Sequence, residues 1–427
     1  MTNKNAEFEQ VCGQASMLDQ NDDLNCKQLF HIPAQANGDD AIYFGTTCLG
    51  LQPKSTKTKI LEVLEGWGSL GVNAWWNSES IPWLEMHDEI SRRMTGIIGA
   101  NVNEISIMSS LTSSLHAMLF YFFLPSASRN NILTEAGQFS TVKHAIQSHL
   151  DIRADSGTTG DLLLFGQEFG NLELSHLEES LNETVSVVVL AGVNYITGQK
   201  LNFPEIVEMV HSKGAIIGFD LAHAVGNVEL RLHDWNVDFA VWCSYKYLCA
   251  GPGAVGGCFV HERHLGLDNH KKNSYPQGWW GQSDENKFMM LPSHKPAESA
   301  KRFQVSTPPI IQYASLDASL EVFGNIGMER LARRSRELSE YCLKLFDAIE
   351  EVCVITPREF EERGQMITIS LSSGDELDLM EYLKSNGVVC DIRSAKFIRF
   401  ALSPLYCSFA DVARLASLIN IFLKRAQ

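Results

Sequence analysis

Between residues 86 and 262, short runs of apolar and β-branched residues alternate with stretches whose apolar positions recur every three to four residues. The runs are EISIM from Glu104, NILTE from Asn131, DLLLF from Asp161, VSVVVL from Val185, AIIGFD from Ala215, DFAVWC from Asp238 and GGCFVH from Gly256. Helical stretches lie between several of them: SSLHAMLFYFF, STVKHAIQSHL, SHLEESLNE and FPEIVEMVHSK. Such alternation predicts a mainly parallel sheet wrapped by helices, an α/β fold. GGCFVH follows a Gly-rich loop with no helix, so it is expected to be antiparallel or added at an edge. Before this region, residues 1–40 read as polar and irregular, and TKTKILEVLEGW sets Ile60, Leu61, Leu64 and Trp67 on one helical face. After residue 310 a long amphipathic helix from Leu316 to Leu345, broken near Gly324 to Gly327, is followed by QMITISL, ELDLMEYLKSNGV and KFIRFAL. This predicts a smaller α+β unit packed on the sheet.

Composition narrows the function classes. The chain has 427 residues with 35 Lys and Arg against 51 Asp and Glu, a formal charge of −16, which disfavours nucleic acid or an anionic membrane as partner. Ten cysteines are scattered without a CxxC pair, so neither a zinc ribbon nor a redox dithiol is spelled out, and the histidines have no metal-ligand spacing. No metal is expected. The N-terminus lacks a secretion signal, and the longest apolar run, Ala117 to Leu124, falls short of the roughly 20 residues needed to cross a bilayer. A cytoplasmic protein is the expectation. Gly251, Gly253 and Gly256 match GxGxxG formally, but they precede a strand, whereas a dinucleotide fingerprint opens a helix.

Ligands of open α/β sheets bind beyond the carboxyl ends of the strands, and four segments there carry chemistry. Asp220 ends the apolar run AIIGFD, with His223 three residues on. Lys246 in CSYKYL ends the next run, 26 residues after Asp220. Taken alone, Asp220 could be a helix cap and Lys246 a surface lysine. Together, a carboxylate for a pyridinium nitrogen and an amine for an aldehyde are the two fixed points of a pyridoxal phosphate site. Thr112, Ser113 and Ser114 stand where a helix begins, a place for a phosphate, and Phe139 in TEAGQFS could cover a pyridine ring.

The residues 219–248, FDLAHAVGNVELRLHDWNVDFAVWCSYKYL, resemble the kynureninases. The resemblance extends to LGLQPK at 49, LTSSLHAML at 111, VNYITGQKLNFP at 193, GWWG at 278, STPPI at 306, ERGQMITIS at 362, GVVCDIR at 387 and FIRFALSPLYCSF at 397. It implies a PLP-dependent fold of the aspartate aminotransferase type. In that fold residues 1–60 form an N-terminal arm on the small domain, 61–312 a large cofactor-binding domain and 313–427 a small C-terminal domain. It implies Lys246 as the Schiff-base lysine, Asp220 on the pyridine nitrogen and His223 near the ring. Leu111, Thr112 and Tyr245 would line the phosphate cup, with Phe139 stacked on the ring. Tyr245 would also donate a proton during catalysis. Trp279 and Thr307 would reach the phosphate from a neighbouring subunit, which makes a homodimer with shared sites. Arg399 would hold the substrate α-carboxylate, with Trp76 and Cys48 near the substrate. The implied reaction hydrolyses the Cβ–Cγ bond of L-kynurenine to anthranilate and L-alanine in tryptophan catabolism.

Departures from the family's usual pattern are Thr47 and Cys48 in YFGTTCLGLQP, Val142 after Phe139, and Ala191 in LAGV. Two other enzymatic readings remain: a hydrolase preferring 3-hydroxykynurenine, and a cysteine-desulfurase-like lyase with Cys407 as nucleophile. A scaffold that kept only the fold is the non-catalytic alternative, and Lys246 with Asp220 speak against it.

Overall fold

A computed structural model describes residues 2–24, 26–78, 81–108, 110–155, 157–266 and 275–426. The first strand, β1 (Ile42–Tyr43), is preceded by helices α1 (Thr2–Gly13) and α2 (Ala15–Asn21) and followed by α3 (Ser55–Leu70), α4 (Ala74–Asn77) and α5 (Met86–Ile98). The apolar runs become β2 (Ile105–Met108), β3 (Asn131–Glu135), β4 (Leu162–Phe165), β5 (Val185–Ala191), β6 (Ile216–Asp220), β7 (Phe239–Cys243) and β8 (Gly256–Val260). Helices α6 (Leu111–Phe122), α7 (Ser140–Asp155), α8 (Leu174–Ser180) and α9 (Phe203–Ser212) fall between them. The sheet order is β2-β8-β7-β6-β5-β3-β4. Strands β3 to β7 pair in parallel, while β8 runs antiparallel to both β2 and β7. The antiparallel direction of GGCFVH is as expected. Its place is not at an edge, because β2 pairs on its outer side.

Every residue of β5 and β7 is buried, since helices cover both faces of the sheet. Gly218 in β6 is required by packing: a Cβ there would lie 2.0 Å from the Phe239 ring.

Beyond the sheet, α10 (Ile310–Ile326) and α11 (Met328–Asp347) form the long helical stretch, broken at Gly327, whose φ of +85° suits glycine. Lys59 of α3 and Arg93 of α5 both pair with the buried Asp317 of α10. A four-stranded antiparallel sheet follows, with β9 (Val352–Val354), β10 (Met366–Leu371), β12 (Asp391–Arg393) and β13 (Phe397–Ala401) in the order β12-β13-β10-β9. Strand β11 (Val388–Val389) pairs in parallel with β1. Helices α12 (Glu376–Ser385) and α13 (Phe409–Ala426) complete this part.

The N-terminal segment corrects the reading of residues 1–40 as irregular, for it forms α1 and α2. Its helices are fixed by docking rather than by a strong apolar stripe. Phe8 and Ala15 are buried, Tyr341 donates to the Val11 carbonyl, Arg334 pairs with Asp22, and Asp19 accepts from the first backbone N–H groups of α13. Tertiary contacts of this kind override weak local propensity.

Candidate active site

Four neighbouring parallel strands end on one side of the sheet and deliver their last residues together. Register pairs Ala191 of β5 with Asp220 of β6, and Lys246 follows the end of β7 by three residues. The N-terminus of α6 faces the same space. The resulting cavity of about 140 Å³ is lined by Leu111, Thr112, Gln138, Phe139, Thr141, Ala191, Val193, Tyr195, Asp220, Ala222, His223, Tyr245 and Lys246. Seven of these, Leu111, Thr112, Phe139, Asp220, His223, Tyr245 and Lys246, are among the residues singled out from sequence.

Lys246 Nζ lies 2.9 Å from His223 Nε2, and the other ring nitrogen, Nδ1, lies 3.2 Å from the hydroxyl of the buried Tyr247. Burial pulls the Lys246 amine below its ordinary value, opposed by the nearby Cys243 and Asp220. Burial also pushes Asp220 up, opposed by the Ala222 N–H, which donates to Oδ1 at 2.8 Å, and by Lys246. His223 is held well below its usual range, first by burial and then by the charges of Lys246, Arg399 and Arg393, so its ring is neutral. Phe139 meets Tyr195 edge-on at 5.4 Å.

At the mouth of α6, Ser110 caps the helix by accepting from the Ser113 N–H. The N–H groups of Leu111 and Thr112, ahead of the first intrahelical bond, are left for an anion. Close approach here depends on Gly256: a Cβ on it would lie 3.2 Å from the Leu111 nitrogen and 2.2 Å from the Trp242 carbonyl.

The other predicted residues lie outside the cavity lining. Arg399 is fully buried and donates to Asp391 and to the Tyr195 carbonyl. Cys48 Sγ sits 3.0 Å from Asp391 Oδ2, and burial together with that carboxylate pushes the thiol up. Trp76, Trp279 and Thr307 are exposed within one chain. Trp76 and Trp279 both pack on Phe288, at 6.4 and 5.9 Å between ring centres. Among the departures, Ala191 lines the cavity, whereas Val142 turns into the apolar core beside Ala145 and Ile146. Thr47 is buried. Cys407 is buried away from the cavity against the Tyr43 carbonyl, with its thiol pushed up by burial, so it offers no accessible thiolate.

Sequence reasoning passed over Gln138, Thr141, Val193, Tyr195 and Tyr247. The strand-end rule, applied also to VSVVVL, points to the stretch from Ala191 to Tyr195; it was applied only to the neighbouring runs. Away from this site, Glu104, His233 and His261 bring possible metal-ligating atoms together. Glu104 already accepts from the backbone N–H groups of Asn101 and Glu262 and from His233, which reads as a structural tie.

A family model described as Aminotransferase class-V matches residues 85–393. The kynureninase of Myxococcus xanthus is 39% identical over 95% of this chain and 96% of its own length. The kynureninase of Flavobacterium psychrophilum is 35% identical over 97% and 98%. The chain belongs to the kynureninase family. Solved structures agree on the fold. A cysteine desulfurase from Thermococcus onnurineus superposes with a TM-score of 0.74 at 19% identity, covering 90% of this chain and 95% of that one. The cystine C–S lyase C-DES gives 0.73 at 18%, covering 88% and 97%. The alternation of apolar runs and helices along the chain is the pattern of this α/β fold.

The cofactor of this kynureninase-family chain is pyridoxal phosphate, and the cavity fits it. A helix N-terminus for the phosphate, a buried carboxylate for the ring nitrogen and an amine for the aldehyde converge on one space. Gln138 Nε2 is buried there without a hydrogen-bond partner, a donor left for a bound group.

Proposed function

We propose that the protein hydrolyses the Cβ–Cγ bond of L-kynurenine, giving anthranilate and L-alanine. The observation that carries this reading is the convergence of Lys246, Asp220 and the α6 N-terminus on one cavity in a chain 34–39% identical to kynureninases over nearly its whole length. Pyridoxal phosphate supplies, when bound, the electron sink that such a cleavage needs.

In this reading Leu111 and Thr112 hold the phosphate through backbone N–H groups, Phe139 covers the ring and Asp220 keeps its nitrogen protonated. Lys246 would hold the aldehyde, and its free amine would take the proton from the substrate Cα. Burial suits it to that task, because a desolvated amine is a free base nearer to neutral pH than an exposed one. His223, neutral and 2.9 Å away, steadies the amine. Tyr245, half-buried beside Lys246, keeps its proton because burial pushes its hydroxyl up, which suits a donor to the β-carbon. Arg399 holds the α-carboxylate.

The protein acts as a cytoplasmic homodimer, and the exposed cluster of Trp76, Trp279 and Phe288 supports a face turned to a second subunit. Trp279 and Thr307 then serve the partner's phosphate site. In the same reading, residues 1–60 are the arm, 61–312 the cofactor-binding domain and 313–427 the small domain. Borohydride reduction of the purified holoenzyme followed by peptide mass analysis tests the centre of this reading. Retention of the cofactor on Lys246 is expected, and retention elsewhere or nowhere would overturn it.

A further inference from the structure

The cavity described above accounts for the cofactor, and its lining cation, Lys246, is committed to the cofactor aldehyde rather than to a substrate carboxylate. The charge for that carboxylate comes from the four-stranded sheet. Strands β12 and β13 pair antiparallel with Asp391 opposite Arg399. Alternate residues of a strand share a face, so Arg393 emerges on the same side as Asp391. The three side chains meet around one carboxylate. Asp391 accepts from Arg399 Nε at Oδ1, while its Oδ2 pairs with Arg393 Nη2 at 3.1 Å and accepts from Cys48 Sγ at 3.0 Å.

Two guanidinium groups thus share a single carboxylate, and the cluster keeps one positive charge. Its setting makes that charge available to a ligand. The Arg399 side chain is fully buried, with one end fixed to the carbonyl of Tyr195, a cavity-lining residue. Arg393 Nε is buried and has no hydrogen-bond partner. Both guanidinium groups are near enough to the cavity to act on Tyr195 and His223. The Arg393 side chain is 40% exposed, so water screens its charge, but its buried Nε is a donor without a partner that an anion would satisfy.

We propose that Arg393 is a second substrate-binding residue, forming with Arg399 a two-guanidinium site for the α-carboxylate, and that Asp391 is the positioning residue that sets their spacing. This rests on the reading of the substrate as an α-amino acid. The planar forks of two arginines suit a carboxylate better than a point charge does. Asp391 fixes the Arg399 fork through Nε, and Cys48 Sγ lies between the two arginines, 3.9 Å from Arg399 Nη2 and 3.7 Å from Arg393 Nη2.

The test is calorimetric titration of the holoenzyme with L-alanine and with L-alaninamide, which differ only in the carboxylate. For Arg393→Gln, L-alanine binding is expected to weaken about 10- to 100-fold, the range of a lost charged hydrogen bond, with L-alaninamide changed less than about 3-fold on the same reasoning. Arg393→Lys should recover part of the loss, and the KM for kynurenine should rise more than kcat falls. Equal weakening of both ligands would mean that Arg393 only supports the fold, and unchanged L-alanine binding would mean that it faces no carboxylate; either overturns the proposal. Wild-type enzyme that binds L-alanine through Arg393 but leaves kynurenine intact would instead refute the proposed reaction.

Discussion

Glu135 ends β3 one strand away from Asp220, separated from it by β5, and both carboxyl groups are buried. Burial, helped by the negative charge of Asp220 and opposed by the Ala191 N–H, pushes Glu135 up to about 8. Its Oε1 accepts from Ala191 at 3.0 Å while Oε2 has no hydrogen-bond partner, which fits a protonated acid. Burial raises Asp220 as well, opposed by the Ala222 N–H and Lys246, and of the two carboxyl groups it is Asp220 that lines the cavity. A carboxyl whose folded pKa is raised gives stability that is complete below its unfolded value and is lost as pH rises through the folded one. For Glu135 the window runs from the ordinary glutamate value of 4.5 to about 8. Glu135→Gln cannot ionise, so its Tm should fall less than that of the wild type between pH 5 and 8.5, with the variant gaining relative stability at the alkaline end. Parallel Tm curves over that range would show that Glu135 does not titrate there. At this scale Lys246 and Asp220 were legible because each ends an apolar run, where a charge is conspicuous. Glu135 ends the run NILTE in the same way, whereas the roles of Tyr247 and Asp391 depend on which segments lie side by side, and no local pattern encodes that.

Among the elements, the segment before α3 shows how a distant stretch reaches the lysine. The Gly50 N–H donates to the Tyr245 carbonyl at 2.9 Å, and a Cβ on Gly50 would lie 2.2 Å from the Lys246 carbonyl and 2.6 Å from Cys249 Sγ. Gly50→Ala must push the two segments apart. Overpacking of this kind costs typically about 1–3 kcal/mol, and the displaced backbone carries Lys246. A lower Tm together with a reduced content of bound cofactor after dialysis is the expected result; a variant matching the wild type in both would mean that this contact is dispensable. The strands and the helix break at Gly327 were legible from period and glycine placement, and α1 and α2 were not. Their helical state depends on α11 and α13, more than 300 residues further along the chain.

For the whole molecule, residues from both sheets and from the N-terminal segment meet around Lys246, and the exposed aromatic cluster at Trp279 is the face on which the proposed dimer can be tested. If the sites are shared, mixing inactive Lys246→Ala and Trp279→Ala proteins restores activity, because a mixed dimer holds one site with both residues intact. No recovery despite proven subunit exchange would mean that each chain builds its own site. The family and its cofactor were legible in residues 219–248, while the ring preference was not. Trp75 packs on Trp83 and Trp280 rather than lining the cavity, and in the proposed dimer the exposed Trp76 and Trp279 would be the apolar side chains that meet the aryl group. Burying a ring hydroxyl among such apolar side chains costs about 1–3 kcal/mol when it finds no partner, and kynurenine should exceed 3-hydroxykynurenine in kcat/KM. The most direct measurement is the product balance with L-kynurenine and the PLP-loaded protein. Anthranilate and L-alanine should appear in equal amounts, with no turnover by Lys246→Ala; absence of anthranilate from a fully loaded wild-type enzyme, or undiminished turnover by Lys246→Ala, would contradict the account.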